Sequence, residues 1–287
     1  MSDIEKHLGP NIEHKEIALG KLRFDCLLAG NKKDDLVVLL HGFPETSFMW
    51  RSLMTDLSSA GYYCLAPNMR GYSINACPKG KKNYRVEKLV QDVLDLASAL
   101  GKSKFHLIAH DWGAVIGWQL AYTFSDSLIS YTALSVPHLK GFYKALLTDK
   151  DQQYRSRYIK KLVVPFIAEY AIRKNDFEAF RKLWKSSNKE ELNDYLSVFR
   201  KRKVLTAALN YYRANSGKSN TREIGEIRVP TLFIWGNKDM AIGCYGVSEG
   251  HQYCKGPYTF LELDAGHWLI QTKYPEIKEA VLKHLNV

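Results

Sequence analysis

The apolar positions of this chain change their period twice. From about residue 12 to 135, strand-length apolar or alternating runs take turns with stretches in which apolar residues recur three and four apart. The strand-like runs are IEHKEIAL, KLRFDCLLAG, LVVLLHG, YYCLAPN, FHLIAH and SLISYTALSV, and helices are predicted at about 46–60, 86–101 and 113–124. LVVLL and FHLIA are apolar throughout, as strands covered on both faces are. Alternation of this kind predicts an α/β fold, a mostly parallel central sheet flanked by helices. After Pro137 the pattern is helical until about residue 222. Strand patterning returns in PTLFIWG and YTFLEL, and a helix from about 275 closes the chain. The helical block therefore reads as an insertion between two strands of one sheet: a core domain of residues 1–137 and 223–287 carrying an inserted helical lid (cap) domain at 138–222.

A chain of 287 residues is long enough to bury a sizeable core. No apolar run approaches the roughly 20 residues that cross a bilayer, and the opening MSDIEKHLGPN lacks the apolar stretch of a secretory signal, so a cytoplasmic location is expected. Five cysteines, an odd number without a C-x-x-C pair or zinc-ligand spacing, are expected to be reduced thiols. The net charge of +11 raises the question of a polyanionic partner. Residues 138–222 hold 20 Lys and Arg against 8 Asp and Glu and so account for all of it. Acidic residues are interleaved as on solvated helix faces, and only Arg200-Lys201-Arg202-Lys203 is a compact cluster, so no nucleic-acid partner is expected.

The run FHLIAH ends at Asp111, and in a parallel sheet ligands bind beyond the carboxyl ends of the strands. Ala109 and Gly113 are small enough for a sharp strand-to-helix turn that lifts the side chain between them clear of the sheet. The amides that follow present the positive end of a helix to an anion. This is a nucleophile elbow with a carboxylate where serine is common. Alone, such an Asp reads more simply as the N-cap of the next helix. Its company changes the reading. HGFPE at 41–45 ends another strand with a Gly and a Pro, so the Phe43 and Trp112 amides can converge as an oxyanion hole. TLFIWG runs into Asn237-Lys238-Asp239, and FLELDAG into His267. Singly these are a turn former and a loop histidine. Together, in the chain order nucleophile, acid, base, they form an Asp–His pair able to activate water.

HGFPE, HDWG at 110–113, the acid in GNKD and the histidine in AGHW resemble the α/β-hydrolase fold family, specifically its epoxide hydrolase branch, of the soluble epoxide hydrolase kind. The similarity runs from about residue 12 to the end of the chain. HDWG is shared with haloalkane dehalogenases, whereas HGFPE points towards epoxides. The resemblance implies two lid tyrosines that hold the substrate oxygen. KDQQYRSRY at 150–158 matches the first region and gives Tyr158; Tyr211-Tyr212-Arg213 matches the second and gives Tyr212. Tyr154, one turn before Tyr158, and Tyr211 are the rivals. Two departures stand out. Asn68-Met69-Arg70-Gly71-Tyr72-Ser73 occupies the place of an Asp-x-Arg-Gly-Tyr-Gly turn, which bears on a supporting loop, and Ala109 replaces the usual Gly.

The chemistry that the resemblance implies needs no metal or organic cofactor, only a small-molecule epoxide and water. Asp111, ionised at neutral pH, opens the epoxide and becomes a covalent alkyl ester while Tyr158 and Tyr212 donate to the departing oxygen. His267, oriented by Asp239, then activates the water that hydrolyses the ester, the Phe43 and Trp112 amides hold the oxyanion, and a vicinal diol leaves. The first alternative is haloalkane dehalogenase, with the same Asp. A halide needs two N–H donors, Trp112 and, in the absence of an Asn at Phe43, Trp184. Fluoroacetate-type dehalogenation is disfavoured by Trp112 where Arg is typical, and a serine esterase by the lack of any G-x-S-x-G. A non-catalytic ligand-binding homologue is the reading from another class. Periodicity does not tell whether Phe142, Leu146, Val163, Phe166, Tyr170, Trp184 and Leu192 line a pocket or pack helices, and oligomeric state stays open.

Overall fold

Eight strands form one sheet in the order β1 (Ile12–Leu19), β2 (Leu22–Ala29), β4 (Tyr63–Pro67), β3 (Leu36–Leu40), β5 (Phe105–His110), β6 (Leu128–Leu134), β7 (Thr231–Gly236) and β8 (Tyr258–Leu263). Only β2 runs against the others, pairing antiparallel with β1 and β4; every further pair from β4 to β8 is parallel. The computed structural model describes residue 8, residues 11–216 and residues 224–286, so the expected boundary at 222–223 lies outside the described residues.

Strands β3, β4, β5 and β7 are buried at every position, which is why their sequences are continuous apolar runs. Helices cover both faces. α1 (Arg51–Ser59) packs with the C-terminal α12 (Tyr274–Leu285), and α2 (Val86–Ala99) packs with α3 (Trp112–Thr123). The chain leaves β3 for β4 on one side and returns to β5 on the other. The reversal opens a crevice at the carboxyl ends of β3 and β5, where HGFPE and HDWG lie.

Between β6 and β7 the chain is helical: α4 (Leu139–Thr148), α5 (Lys150–Arg155), α6 (Ile159–Leu162), α7 (Ile167–Leu183), α8 (Lys189–Phe199) and α9 (Arg202–Asn215). α7 is broken by non-helical dihedrals at Lys174–Phe177. This block is tied to the sheet edge by polar contacts. The Trp184 indole donates to the Pro44 carbonyl oxygen at 3.1 Å, Tyr211 donates to the Arg70 carbonyl at 2.6 Å, and the Thr46 hydroxyl donates to Asp194. Burial pushes the Asp194 carboxyl up to about 6, against the pull of that bond.

Two local features differ from the sequence expectations. A further helix, α10 (Cys244–His251), stands between β7 and β8; its sequence CYGVSEGH has two glycines in eight residues and little helical preference. Tertiary packing supplies what propensity lacks, because α10 lies backbone to backbone against α4, so close that a Cβ on Gly141 would stand 2.4 Å from the Gly250 amide nitrogen. The second concerns Asn68. Its side-chain oxygen accepts from the Ser47 amide at 2.9 Å and hydroxyl at 3.0 Å, and Ser73 bridges the Asn68 carbonyl and the Asp25 amide, both at 2.8 Å. An amide side chain thus holds the loop that a carboxylate was expected to hold. The remaining short helix, α11 (Leu269–Thr272), follows His267. Among the described residues no helix is long and apolar enough to cross a membrane.

Candidate active site

Asp111 sits between β5 and α3 with φ 51° and ψ −117°, a conformation that costs an L-residue on the order of 1–3 kcal/mol. Its neighbours permit the turn by being small. A Cβ on Gly42 would stand 2.3 Å from the Asp111 Cβ, and one on Gly113 would stand 2.3 Å from the Leu40 carbonyl oxygen. The Asp111 side chain does not cap α3, which removes the N-cap reading. Instead Oδ1 accepts from the Phe43 amide at 2.8 Å, and Oδ2 lies 3.5 Å from His267 Nε2. The Trp112 amide is the first of α3, beside it.

His267 Nδ1 is 2.7 Å from Asp239 Oδ2, and Asp239 is fully buried. The other Asp239 oxygen accepts from the Ala241 and Ile242 amides at 2.7 and 3.1 Å, so its turn-forming and histidine-orienting roles coexist on two oxygens. Burial disfavours charge on the His267 ring, but the carboxylates of Asp239 and Asp111 on either side outweigh it and raise its pKa well above the usual value. Burial likewise opposes charge on Asp111, yet His267 and the Phe43 amide hold its carboxyl below the ordinary range. The carboxylates on either side thus favour a proton on the His267 ring.

A cavity of about 670 Å³ opens above Asp111, walled by Trp112, Val115, Val136, Leu139, Phe142 and Ile242 among others. Tyr158 and Tyr212 face Asp111 across it. Their rings meet edge-to-face at 6.4 Å, and the Tyr212 ring is wedged between Trp112 at 5.1 Å and Phe43 at 5.4 Å. Burial, reinforced by the Asp111 charge, raises both phenols, so they are protonated donors at neutral pH. Their rivals are engaged elsewhere. Tyr154 is 61% exposed beneath the Arg157 guanidinium, and Tyr211 is buried with its hydroxyl spent on Arg70.

The residues between β6 and β7 with an ambiguous pattern divide. Phe142 and Leu146 line the cavity, Val163 and Leu192 pack partly buried, Trp184 is core, and Phe166 and Tyr170 face solvent at 86% and 73%. Because the Trp184 indole N–H is bonded to Pro44, it does not reach the cavity as a halide donor.

A layer behind His267 had no assigned part in the sequence reading. His110 Nε2 and the Ser135 hydroxyl lie 3.0 and 2.8 Å from the His267 carbonyl oxygen. His110 Nδ1 is 3.1 Å from Glu45 Oε2, and Glu45 Oε1 accepts from Gln271 at 2.7 Å. Polar residues at strand ends inside HGFPE and HDWG were the visible signal; their mutual contact was not. From α5, Gln152 clamps the Asp239 loop through the Ala241 carbonyl at 2.7 Å and the Gly243 amide at 2.8 Å, and Arg155 donates to the Asp239 carbonyl. No sequence signal marked Gln152.

Comparison with known proteins agrees with this geometry. Residues 35–274 match the family described as alpha/beta hydrolase fold. Epoxide hydrolase 3 of Xenopus tropicalis is 30% identical over 272 residues, covering 91% of this chain and 74% of that protein. Epoxide hydrolase A of Mycobacterium tuberculosis is 28% identical, covering 92% and 94%. Among solved structures, a Bacillus megaterium epoxide hydrolase in complex with an inhibitor superposes with a TM-score of 0.87 at 26% identity, covering 95% of this chain and 100% of that one. An acidic elbow, its histidine and the fold that presents them thus coincide with sequence similarity over nearly the whole length, and the chain belongs to the α/β-hydrolase fold family, in its epoxide hydrolase branch.

Proposed function

We propose that this protein is an epoxide hydrolase that works through an ester on Asp111. The observation that carries the reading is the placement of an ionised carboxylate, held in a strained turn, across one cavity from two protonated phenols and 3.5 Å from an imidazole. Residues 138–222 serve as a lid domain that brings the phenols to a core domain of residues 1–137 and 223–287.

Oδ2 of Asp111 attacks an epoxide carbon and the C–O bond of the ring breaks. Tyr158 and Tyr212 donate to the leaving oxygen, which would otherwise depart as a strongly basic alkoxide. Oδ1 stays against the Phe43 amide as the ester carbonyl. Alkylation removes the Asp111 charge, one of the two that raise His267, so the imidazolium loses part of its support and its proton passes to the alkoxide held by the phenols, completing the first hydroxyl. Neutral His267, oriented by Asp239, takes a proton from water as the water oxygen bonds to the Asp111 carboxyl carbon. The Phe43 and Trp112 amides hold the oxyanion on Oδ1. Collapse breaks the bond between that carbon and Oδ2; the diol leaves with Oδ2 and a proton from His267, and the water oxygen remains on Asp111.

The test is a trap. His267→Gln should still be alkylated but should hydrolyse the ester slower by roughly 10²–10⁴-fold, so intact mass after mixing with a small epoxide should show enzyme plus one substrate. Unmodified protein with undiminished turnover would overturn the scheme. A halide leaving group fits less well, since of the two N–H donors it needs, only the Trp112 side chain lines the cavity while the Trp184 indole is bonded to Pro44.

A further inference from the structure

Of the eleven large apolar side chains exposed among the described residues, six besides the cavity-lining Tyr158 lie between Leu147 and Tyr170, in the lid. Leu147 is 70% exposed, Phe166 86%, Ile167 66% and Tyr170 73%, with Tyr154 and Val164 nearby. A helix–turn segment that exposes this much apolar surface in one stretch is unusual for a protein surrounded by water alone. Phe166, at φ +66°, is held outward by a backbone conformation that L-residues seldom adopt. It precedes α7, whose first turn places Ile167 and Tyr170 beside it; the Tyr170 amide donates to the Phe166 carbonyl. The opposite face of this turn is already docked, since Glu169 pairs with Arg213 of α9 at 2.8 Å.

The same stretch is basic. From residue 147 to 174 there are seven Lys and Arg and three Asp and Glu. Each acidic group is engaged: Asp149 accepts from α5 amides, Asp151 pairs with Arg155, and Glu169 with Arg213. Lysines 150, 160 and 161 therefore face outward without a carboxylate of this segment left to pair with them, and Lys174 has near it Glu178, already paired with Lys182. The surface is also continuous with the cavity, whose rim includes Leu147, Arg157, Ile159 and Lys160.

We infer that this face of the lid docks on an anionic lipid surface, with Phe166, Ile167, Tyr170 and Leu147 entering the boundary between headgroups and acyl chains and the lysines meeting anionic headgroups. Apolar side chains framed by lysine and arginine are what such a surface binds, each basic residue near it adding about a fivefold gain in affinity. A nucleic acid fits less well, because Leu147, Val164 and Ile167 stand among the aromatic rings and offer no π face on which a base stacks. A second copy of the chain would bring two positive faces together. Resting on the epoxide reading, the cavity rim would then open at the lipid boundary, where apolar epoxides concentrate.

Co-sedimentation of the full chain with vesicles tests this and involves no turnover, so it stands apart from any failure of the catalytic scheme. Binding is expected to phosphatidylcholine vesicles containing phosphatidylglycerol, to weaken steeply with salt, and to be lost with phosphatidylcholine alone. Two double variants outside the cavity, Phe166→Asn with Ile167→Ser, in which asparagine accepts the positive φ, and Lys161→Glu with Lys174→Glu, should each reduce binding by about tenfold or more. Turnover of a water-soluble epoxide and the melting temperature, both unchanged, show that the variants fold. No binding to the anionic vesicles at low salt, or binding that both variants retain, overturns the proposal. So does a dimer in sedimentation equilibrium that the Phe166 variant abolishes, because the face would then belong to a second copy.

Discussion

The carboxyl edge of the sheet and the helical block between β6 and β7, the proposed lid, supply opposite walls of one cavity by different physical means. At the edge, position is fixed by backbone. Asp111 is held by a positive φ, by the Gly42 and Gly113 approaches, and by the Phe43 amide, and its partners Asp239 and His267 follow the ends of β7 and β8. In the lid, position is fixed by packing. Tyr212 reaches the cavity because Trp112 and Phe43 grip its ring, and Tyr158 because the short helices around it turn it inward, whereas Tyr154 four residues earlier faces solvent. A site built from one rigid and one packed half can change the packed half without disturbing Asp111.

Substitutions can break that contrast in order of expected effect. Asp111→Asn removes the proposed nucleophile and should lower turnover of any epoxide by about 10⁴-fold or more, read as diol formed per enzyme. Tyr158→Phe with Tyr212→Phe should slow alkylation by roughly 10²–10⁴-fold in single-turnover kinetics, while Tyr154→Phe and Tyr211→Phe leave it within about twofold. If the rivals matter equally, the lid does not select its donors by packing. Tyr211→Phe should instead cost about 1 kcal/mol of stability through the lost bond to Arg70.

Stability probes the rigid half. Gly113→Ala drives a methyl group into the Leu40 carbonyl and should destabilise by roughly 1–3 kcal/mol or more in denaturant titration, whereas alanine at the open position Gly101, strained only by its positive φ, should cost less. The last effect is electrostatic. His267 is raised above its unfolded value, so its stabilisation is complete below roughly pH 6.5 and is lost as pH rises through the folded pKa. Above neutrality, wild-type stability should fall more steeply with pH than that of His267→Gln, by up to about 1.4 kcal/mol per pH unit. Asp111 acts at the other end, its contribution disappearing as pH falls through its lowered pKa. Parallel curves above pH 7 would show that His267 is not held as an imidazolium.

The strands, their order of appearance and the elbow were legible because each depends on a few consecutive residues: continuous apolar runs for buried strands, small residues around Asp111 for a tight turn, and motif residues at strand ends. α10 was not legible, since its glycines argue against a helix until α4 is laid against it. Nor was the layer of Glu45, His110 and Gln271, whose members are joined by contacts between residues up to 226 positions apart. By itself the sequence determined which strand ends carry Asp111, Asp239 and His267, because side-chain direction at a strand end follows from the local chain. Only the tertiary structure decided which tyrosines face Asp111, that the Trp184 indole belongs to Pro44, and that Phe166 is left in solvent. Those outcomes depend on how helices pack on one another, and a helical repeat fixes a residue's angle about its own axis but not what that face will meet.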